Sequence, residues 1–196
     1  MTTPPRPDRL LTIDQYAALG ETEYGYAELQ EGRLVRSPSP TPDHNVVVGG
    51  LRDCLRPGVP DGHELIQDVH VDLELAPAGR PGSVRRPDLV VVDRAARRRV
   101  RSSGGMIRAS EIILVVEVLS PDSHRTDSVF KRHDYADAGI PHYWIVDLQD
   151  RLSLVAYSLT MPSGYLETAP VRGEFTATEP FPVRIDLDWL LGDEDV

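Results

Sequence analysis

Residues 112–147 read IILVVEVLSPDSHRTDSVFKRHDYADAGIPHYWIVD, and this stretch decides the fold. The run over 112–116 is continuously aliphatic, which predicts a strand covered on both faces. A helix is predicted over about 123–138, where Gly139 ends it, and a second buried strand follows over 142–147. Strand, helix and strand in succession predict a crossover, and hence an α/β or α+β fold with mixed strand pairing.

Outside this stretch, hydrophobic periodicity and turn residues predict elements of both kinds. Upstream they are a helix capped by Thr12 and closed by Gly20, a hairpin over 24–37 turning at Glu31-Gly32, a helix over about 43–56, an alternating strand over 64–75, a loop over 76–86 and a buried strand over 89–92. Downstream they are a β-meander over 151–185 that extends the sheet, and a short helix over 186–191.

The length of 196 residues suits one domain with a substantial core. We expect a single domain over 12–191, a flexible N-terminus over 1–11 and an acidic tail over 192–196. No apolar run approaches the roughly 18 residues needed to cross a bilayer, and no secretory signal is evident, so we expect a cytoplasmic protein without a membrane partner. The single cysteine, Cys54, excludes an intrachain disulfide and a cysteine-based zinc site.

The charge of the chain is unevenly distributed. The net charge is −10, yet residues 80–101 hold eight arginines against two aspartates, a local +6 that leaves −16 for the remainder. A basic segment on an acidic protein can bind a polyanion at one place, and we expect Arg97, Arg98 and Arg99 to contact nucleic acid. A solvated arginine-rich loop is an equally simple explanation.

Two carboxylates border or interrupt the apolar strands. Asp88 follows Pro87 at the start of one strand, and Glu117 lies inside another. A buried carboxylate is costly unless it is paired, hydrogen-bonded or bound to metal. If the two strands pair, both side chains can bind one Mg²⁺ or Mn²⁺, with the backbone carbonyl of Val118 as a third oxygen ligand. The alternative is an ion pair between Glu117 and one of the many arginines.

The predicted helix after Glu117 carries Asp127, Lys131 and Tyr135 at spacings of four residues, which places them on one face. Because the helix begins close to the strand end, the Lys131 ammonium could orient a water or neutralise charge on a phosphate. Asp127 and Tyr135 are accessory candidates. The alternative is a surface Asp–Lys pair worth about 0.3 kcal/mol. Lys131 is the only lysine in the chain.

Several motifs are informative in combination. They are Pro87-Asp88, Glu117-Val-Leu-Ser-Pro121, Asp127 with Lys131 and Tyr135-Ala136, Gly139-Ile-Pro-His-Tyr-Trp-Ile-Val-Asp147, Tyr26-Ala-Glu28-Leu-Gln-Glu31-Gly32-Arg33-Leu-Val, and Ser37-Pro-Ser-Pro with His44. Together these motifs resemble the Uma family of candidate restriction endonucleases, within the PD-(D/E)-x-K nuclease superfamily. The resemblance covers roughly residues 12–148.

The resemblance implies a restriction-endonuclease-like core, with a mixed central sheet flanked by helices. It implies that Asp88 and Glu117 bind metal, and that Glu28 joins them as a further ligand or water-orienting group. The superfamily signature has a lysine two residues after the glutamate, where this chain has Leu119. The Uma pattern moves that lysine onto the following helix, where Lys131 stands.

These features predict a metal-dependent endonuclease that hydrolyses phosphodiester bonds in DNA with Mg²⁺ or Mn²⁺. Cutting both strands needs two sites, so a homodimer is a further expectation. The alternative is a nuclease-like fold that binds nucleic acid or a protein partner without cutting. A serine acyl-transfer site at Ser128-Val-Phe-Lys131 is excluded by context, because its companion K-T-G motif needs a second lysine.

Overall fold

The elements of the fold come from a computed structural model, which describes residues 10–20, 27–36, 39–119, 125–149 and 151–191, with the backbone alone for 125–128. The helices are α1 (Ile13–Leu19), α2 (Pro42–Leu55), α3 (Arg94–Ser103) and α4 (Arg125–Asp137). The strands are β1 (Ala27–Gln30), β2 (Arg33–Arg36), β3 (His63–Gln67), β4 (Val71–Asp72), β5 (Val84–Arg85), β6 (Leu89–Asp93), β7 (Ile107–Arg108), β8 (Ile112–Leu119), β9 (His142–Asp147), β10 (Ser153–Thr160), β11 (Gly164–Glu167), β12 (Glu174–Ala177) and β13 (Val183–Asp186). Single 3-10 turns lie at Arg56–Gly58, Ala109–Glu111 and Trp189–Leu191.

A six-stranded mixed sheet in the order β11-β10-β9-β8-β6-β3 is the centre of the fold. β8 and β9 pair in parallel, with Glu117 opposite Ile145, and α4 makes the crossover between them. The other neighbours in this sheet pair antiparallel. The predicted crossover, the mixed central sheet and the fold class are therefore confirmed.

The two faces of the central sheet carry separate apolar cores, because side chains alternate along each strand. Leu89 and Val91 on β6 belong to the first core, together with residues of α2, β12 and β13. Val90 and Val92 belong to the second core, together with residues of α3 and α4. All four are fully buried, as their continuous apolar run predicts.

A second sheet, in the order β2-β1-β5-β4-β7, lies against the second core. The predicted hairpin forms its edge, with Leu29 of β1 opposite Leu34 of β2. The predicted first helix is also confirmed: Thr12 caps α1 by accepting a hydrogen bond from the Gln15 backbone. Among the described residues, no helix has the length and apolar character needed to span a membrane.

The alternating pattern over 64–75 predicted one strand, and this prediction is wrong. The pattern is divided between β3 in the central sheet and β4 in the second sheet. Asp68 lies between them with φ of 51°, and its backbone N–H donates to the carbonyl of Asp88. The chain therefore bends away from the central sheet at Asp68 and continues into the other one.

Two other predicted regions differ from the observed pairing. The region 76–86 contains β5, whose Val84 pairs with Leu29 of β1, because long-range strand pairing outweighs the local turn composition. The predicted meander is correct for β10 and β11, which extend the central sheet. β12 and β13 instead form a separate hairpin, because Phe175 and Ile185 pack into the first core.

Residues 94–101 of the arginine-rich segment lie on a helix, so the interpretation of this part as a loop is wrong. Asp93 caps α3 by accepting a hydrogen bond from the Ala95 backbone, and Gly104 ends the helix with a positive φ of 73°. Ala96 is buried in the second core and holds α3 against the sheet.

Some predicted features fall outside the described residues. They are most of the N-terminal segment over 1–11, the acidic tail over 192–196 and the turn at Ser120-Pro121-Asp122. The domain boundaries remain predictions.

Two adjacent glycines of α2 provide a test of the first core. A Cβ on Gly50 would lie 2.7 Å from Cδ2 of the buried Leu190, whereas a Cβ on Gly49 would meet nothing within 4 Å. Alanine favours a helix by about 1 kcal/mol over glycine, and overpacking costs about 1–3 kcal/mol. We expect Gly49→Ala to raise the melting temperature and Gly50→Ala to lower it in thermal denaturation. A Gly50→Ala protein as stable as Gly49→Ala would contradict this packing.

Candidate active site

Asp88 and Glu117 meet at the end of the β6–β8 pair. Leu89 lies opposite Val116 in this antiparallel register, so Asp88 and Glu117 face each other one position further along. The backbone N–H of Val118 donates to Oδ2 of Asp88 over 2.7 Å. The strand pairing that the two apolar runs predicted therefore brings both carboxylates together.

Glu117 is buried among polar groups of α4. Its exposed fraction is 4%, and its two oxygens lie 3.1 and 3.2 Å from the Lys131 ammonium. The Tyr135 hydroxyl donates to Oε1 of Glu117 over 2.8 Å. Burial raises the pKa of Glu117 to about 7 against the opposing effect of Lys131, and the charges of Asp88 and Glu28 raise it further.

Glu28 brings a second buried carboxylate to the same lysine. It lies on β1, is 2% exposed, and its Oε1 lies 3.4 Å from Nζ of Lys131. Arg85 donates to Oε2 over 2.9 Å, and the backbone N–H of Arg86 donates to Oε1 over 2.9 Å. Burial acts to raise the pKa of Glu28, but Lys131, Arg85 and the Arg86 amide together hold it below its usual value.

Arg85 connects the second sheet to α4. Its guanidinium is fully buried and is shared between Glu28 and Asp134, with Nε donating to Asp134 over 3.0 Å. A fully buried arginine requires such paired carboxylates, since an unpaired charge inside the protein is costly. The bridge fixes α4 against β1 and β5, one helical turn from Lys131.

His44 lies beside Asp88 at the start of α2. Thr41 caps this helix by accepting a hydrogen bond from the His44 backbone, and Nε2 of His44 lies 3.1 Å from Oδ1 of Asp88. Burial lowers the pKa of His44, but the hydrogen bond and charge of Asp88 raise it above its usual value. Nδ1 of His44 is buried without a hydrogen-bond partner among the described residues.

Most of the predicted site residues therefore form one cluster. Its members are Glu28, Asp88, Glu117, Val118, Lys131 and Tyr135. The side chain of Asp127 lies outside the described residues. Val118 contacts Asp88 through its N–H, and its carbonyl remains a predicted metal ligand.

Two alternative interpretations are contradicted. Lys131 is only 7% exposed, so it is not part of a surface pair. Glu117 is paired with Lys131, and the buried arginine pairs with Glu28 instead. The reason is that Glu28 of β1 and Glu117 of β8 both contact the Lys131 ammonium, which local sequence does not reveal.

The three arginines predicted to contact nucleic acid lie on α3, away from this cluster. Arg97 is exposed and pairs with Glu64 on β3. Arg98 is also exposed. Arg99 is directed inward, where it donates to Glu111 and to the carbonyl of Met106.

Sequence reasoning missed the roles of three residues. His44 was part of a motif but had no role, and its position just after the capping Thr41 was the available signal. Arg85 lies in a segment rich in glycine, proline and arginine, where nothing indicates burial. Asp134 lies three residues after Lys131, a spacing that places both on one side of α4.

The donor set can be tested against the predicted cation. The described residues contain no group of three or more His, Cys, Asp or Glu side chains arranged to hold a metal ion. Mg²⁺ needs no such cage, because it is usually bound through one or two carboxylates, waters and substrate phosphates. Asp88 and Glu117 supply two carboxylates, and their mutual repulsion would be relieved by a cation. The residues therefore fit Mg²⁺ or Mn²⁺.

Comparisons with known proteins agree with this architecture. The model of the Uma2 family, described as "Putative restriction endonuclease", matches residues 13–188. The fold resembles a crystal structure of a "putative nuclease belonging to DUF820" from Anabaena variabilis ATCC 29413, with a TM-score of 0.65 and 18% identity. The match covers 93% of this chain and 98% of the other. No curated protein matches the sequence.

Proposed function

Because the chain belongs to the Uma2 family, whose model spans residues 13–188, we propose that it is a metal-dependent endonuclease acting on DNA. The family and the fold support a nuclease, a hydrolase of phosphodiester bonds. The proposal extends to a homodimer, since cutting both strands needs two sites.

The observation that carries the proposal is the position of Lys131. The single lysine of the chain lies within 3.4 Å of both Glu28 and Glu117, beside the strand end that carries Asp88. Burying the two carboxylates of Glu28 and Glu117 together with an ammonium is expensive for stability alone. Groups whose pKa is shifted by burial and by neighbouring charges, as in Glu117 and Glu28, cluster at functional sites.

Each residue of the cluster has a proposed task. Asp88 and Glu117 hold the cation, which when bound acts as a Lewis acid on the phosphate oxygens. Lys131 donates a hydrogen bond to the attacking water or to a phosphate oxygen. Glu28, whose pKa is held below its usual value by Lys131 and Arg85 against burial, accepts a hydrogen bond from that water and orients it.

The test is incubation of the purified protein with supercoiled plasmid, single-stranded DNA and RNA, each in Mg²⁺, Mn²⁺ or EDTA. We expect nicking or linearisation of the plasmid in either metal and none in EDTA. Cleavage that persists in EDTA would contradict metal dependence, and cleavage of RNA alone would contradict the DNA substrate.

A further inference from the structure

One face of α3 carries a row of exposed arginines. Arg94, Arg97, Arg98 and Arg101 are spaced i, i+3, i+4 and i+7, which places them along one stripe of the helix. All four are exposed. We call these four residues the arginine stripe. Arg99 lies off the stripe and is held inward by Glu111.

Much of the charge of the stripe is available to a partner. Arg97 pairs with Glu64, and Arg94 donates to the carbonyl of His63. Arg98 and Arg101 form no hydrogen bond or ion pair with the described part of the chain. The stripe is thus a cationic strip on a protein whose net charge is −10.

The stripe and the carboxylate cluster lie on the same side of the central sheet. Ala96 of α3 and Tyr135 of α4 both pack into the second core. Asp88 immediately precedes β6, whereas Arg94 immediately follows it. Arg94 lies six residues after Asp88, and at about 3.3 Å per strand residue the two positions are roughly 20 Å apart. This is less than one turn of duplex DNA, whose repeat is about 34 Å.

We propose that the arginine stripe binds the phosphate backbone of duplex DNA at a distance from the reacting phosphate. This inference rests on the proposed function and adds to it a second contact surface, which holds the substrate independently of sequence. The stripe extends about 10 Å, from seven residues at 1.5 Å each, and phosphates repeat along one strand about every 3.4 Å of the duplex axis. A straight, rigid row suits a duplex better than a flexible single strand.

A membrane surface is a poorer fit to the same charges. Helices that lie on membranes insert an apolar face among the lipids. The apolar side of α3 is already occupied, because Ala96 and Val100 pack into the second core. None of the large exposed apolar side chains of the described residues lies on α3.

The experiment compares two double variants that each remove two exposed arginines. Arg98→Gln/Arg101→Gln alters the stripe, and Arg151→Gln/Arg184→Gln is the matched control, because these arginines pair with Asp188 and Glu174 elsewhere on the surface. Binding of a fluorescent 20-base-pair duplex is measured by anisotropy in EDTA between 50 and 200 mM salt, so that binding is separated from cleavage.

We expect the slope of log K against log salt to fall by about 1.8 for the stripe variant, at about 0.9 for each lost contact, and to stay unchanged for the control. Equal slopes for the wild type and the stripe variant would overturn the proposal, even if the protein cuts DNA. Stripe-dependent binding to phosphatidylserine vesicles without duplex binding would also overturn it. Stripe-dependent duplex binding by a protein that never cuts would support the surface and contradict the nuclease proposal.

Discussion

A Lys131→Met variant is expected to lose cleavage by roughly 10²–10³-fold, the range seen when a preorganised donor to a developing charge is removed. Lys131 is the only lysine in the chain, and its ammonium lies 3.1 Å from Glu117 and 3.4 Å from Glu28. The measurement is single-turnover cleavage at saturating Mn²⁺. A rate within about threefold of wild type would contradict a catalytic role, because it corresponds to a change of less than 1 kcal/mol in the activation free energy.

The same variant is also expected to be less stable than wild type. Removing one partner of a buried ion pair costs about 3–5 kcal/mol, because the other charge is left unpaired. Arg132→Met is the matched control, since Arg132 is adjacent on α4 but pairs with the exposed Glu167. Rates are compared at a temperature where thermal denaturation shows each variant folded. Loss of cleavage in both variants would assign the effect to α4 as a whole and not to Lys131.

A Glu117→Gln variant is expected to lose both cleavage and its stabilisation by metal. A ligand at 100 times its dissociation constant stabilises the native state by about 2.7 kcal/mol, so Mn²⁺ should raise the melting temperature of the wild type. Glutamine keeps the volume of Glu117 and an acceptor for the Tyr135 hydroxyl but removes the anionic ligand. The measurement is thermal denaturation with and without Mn²⁺.

The matched control for that change is Glu111→Gln, which alters a glutamate paired with Arg99 outside the cluster. This control should keep the rise in melting temperature that Mn²⁺ induces. If the double variant Asp88→Asn/Glu117→Gln shows the same rise as the wild type, the cation is bound elsewhere.

The central sheet and the two strand carboxylates could be predicted because their signals are local. The apolar runs of β6 and β8 are continuous, and the positions of Asp88 and Glu117 at the ends of those runs need only the pairing of two strands. Gly139 likewise marks the end of α4 without any knowledge of the tertiary fold.

The remainder depends on residues that are distant in sequence. Arg85 is buried because Glu28 and Asp134, 57 and 49 positions away, both accept its hydrogen bonds. Lys131 is buried between Glu28 of β1 and Glu117 of β8. From the helix sequence alone, a surface pair with Asp127 is an equally good prediction. The pattern over 64–75 alternates as one strand would, but Asp68 divides it between two sheets.

Cleavage of supercoiled plasmid by the wild type and by Asp88→Asn/Glu117→Gln, assayed in parallel in Mg²⁺, Mn²⁺ and EDTA, decides whether this cluster cuts DNA. We expect nicked or linear product from the wild type in the presence of either metal, none in EDTA, and none from the double variant under any condition. Equal cleavage by the wild type and the double variant, or no cleavage by a wild type that binds Mn²⁺ and duplex DNA, would contradict a nuclease site at Asp88 and Glu117.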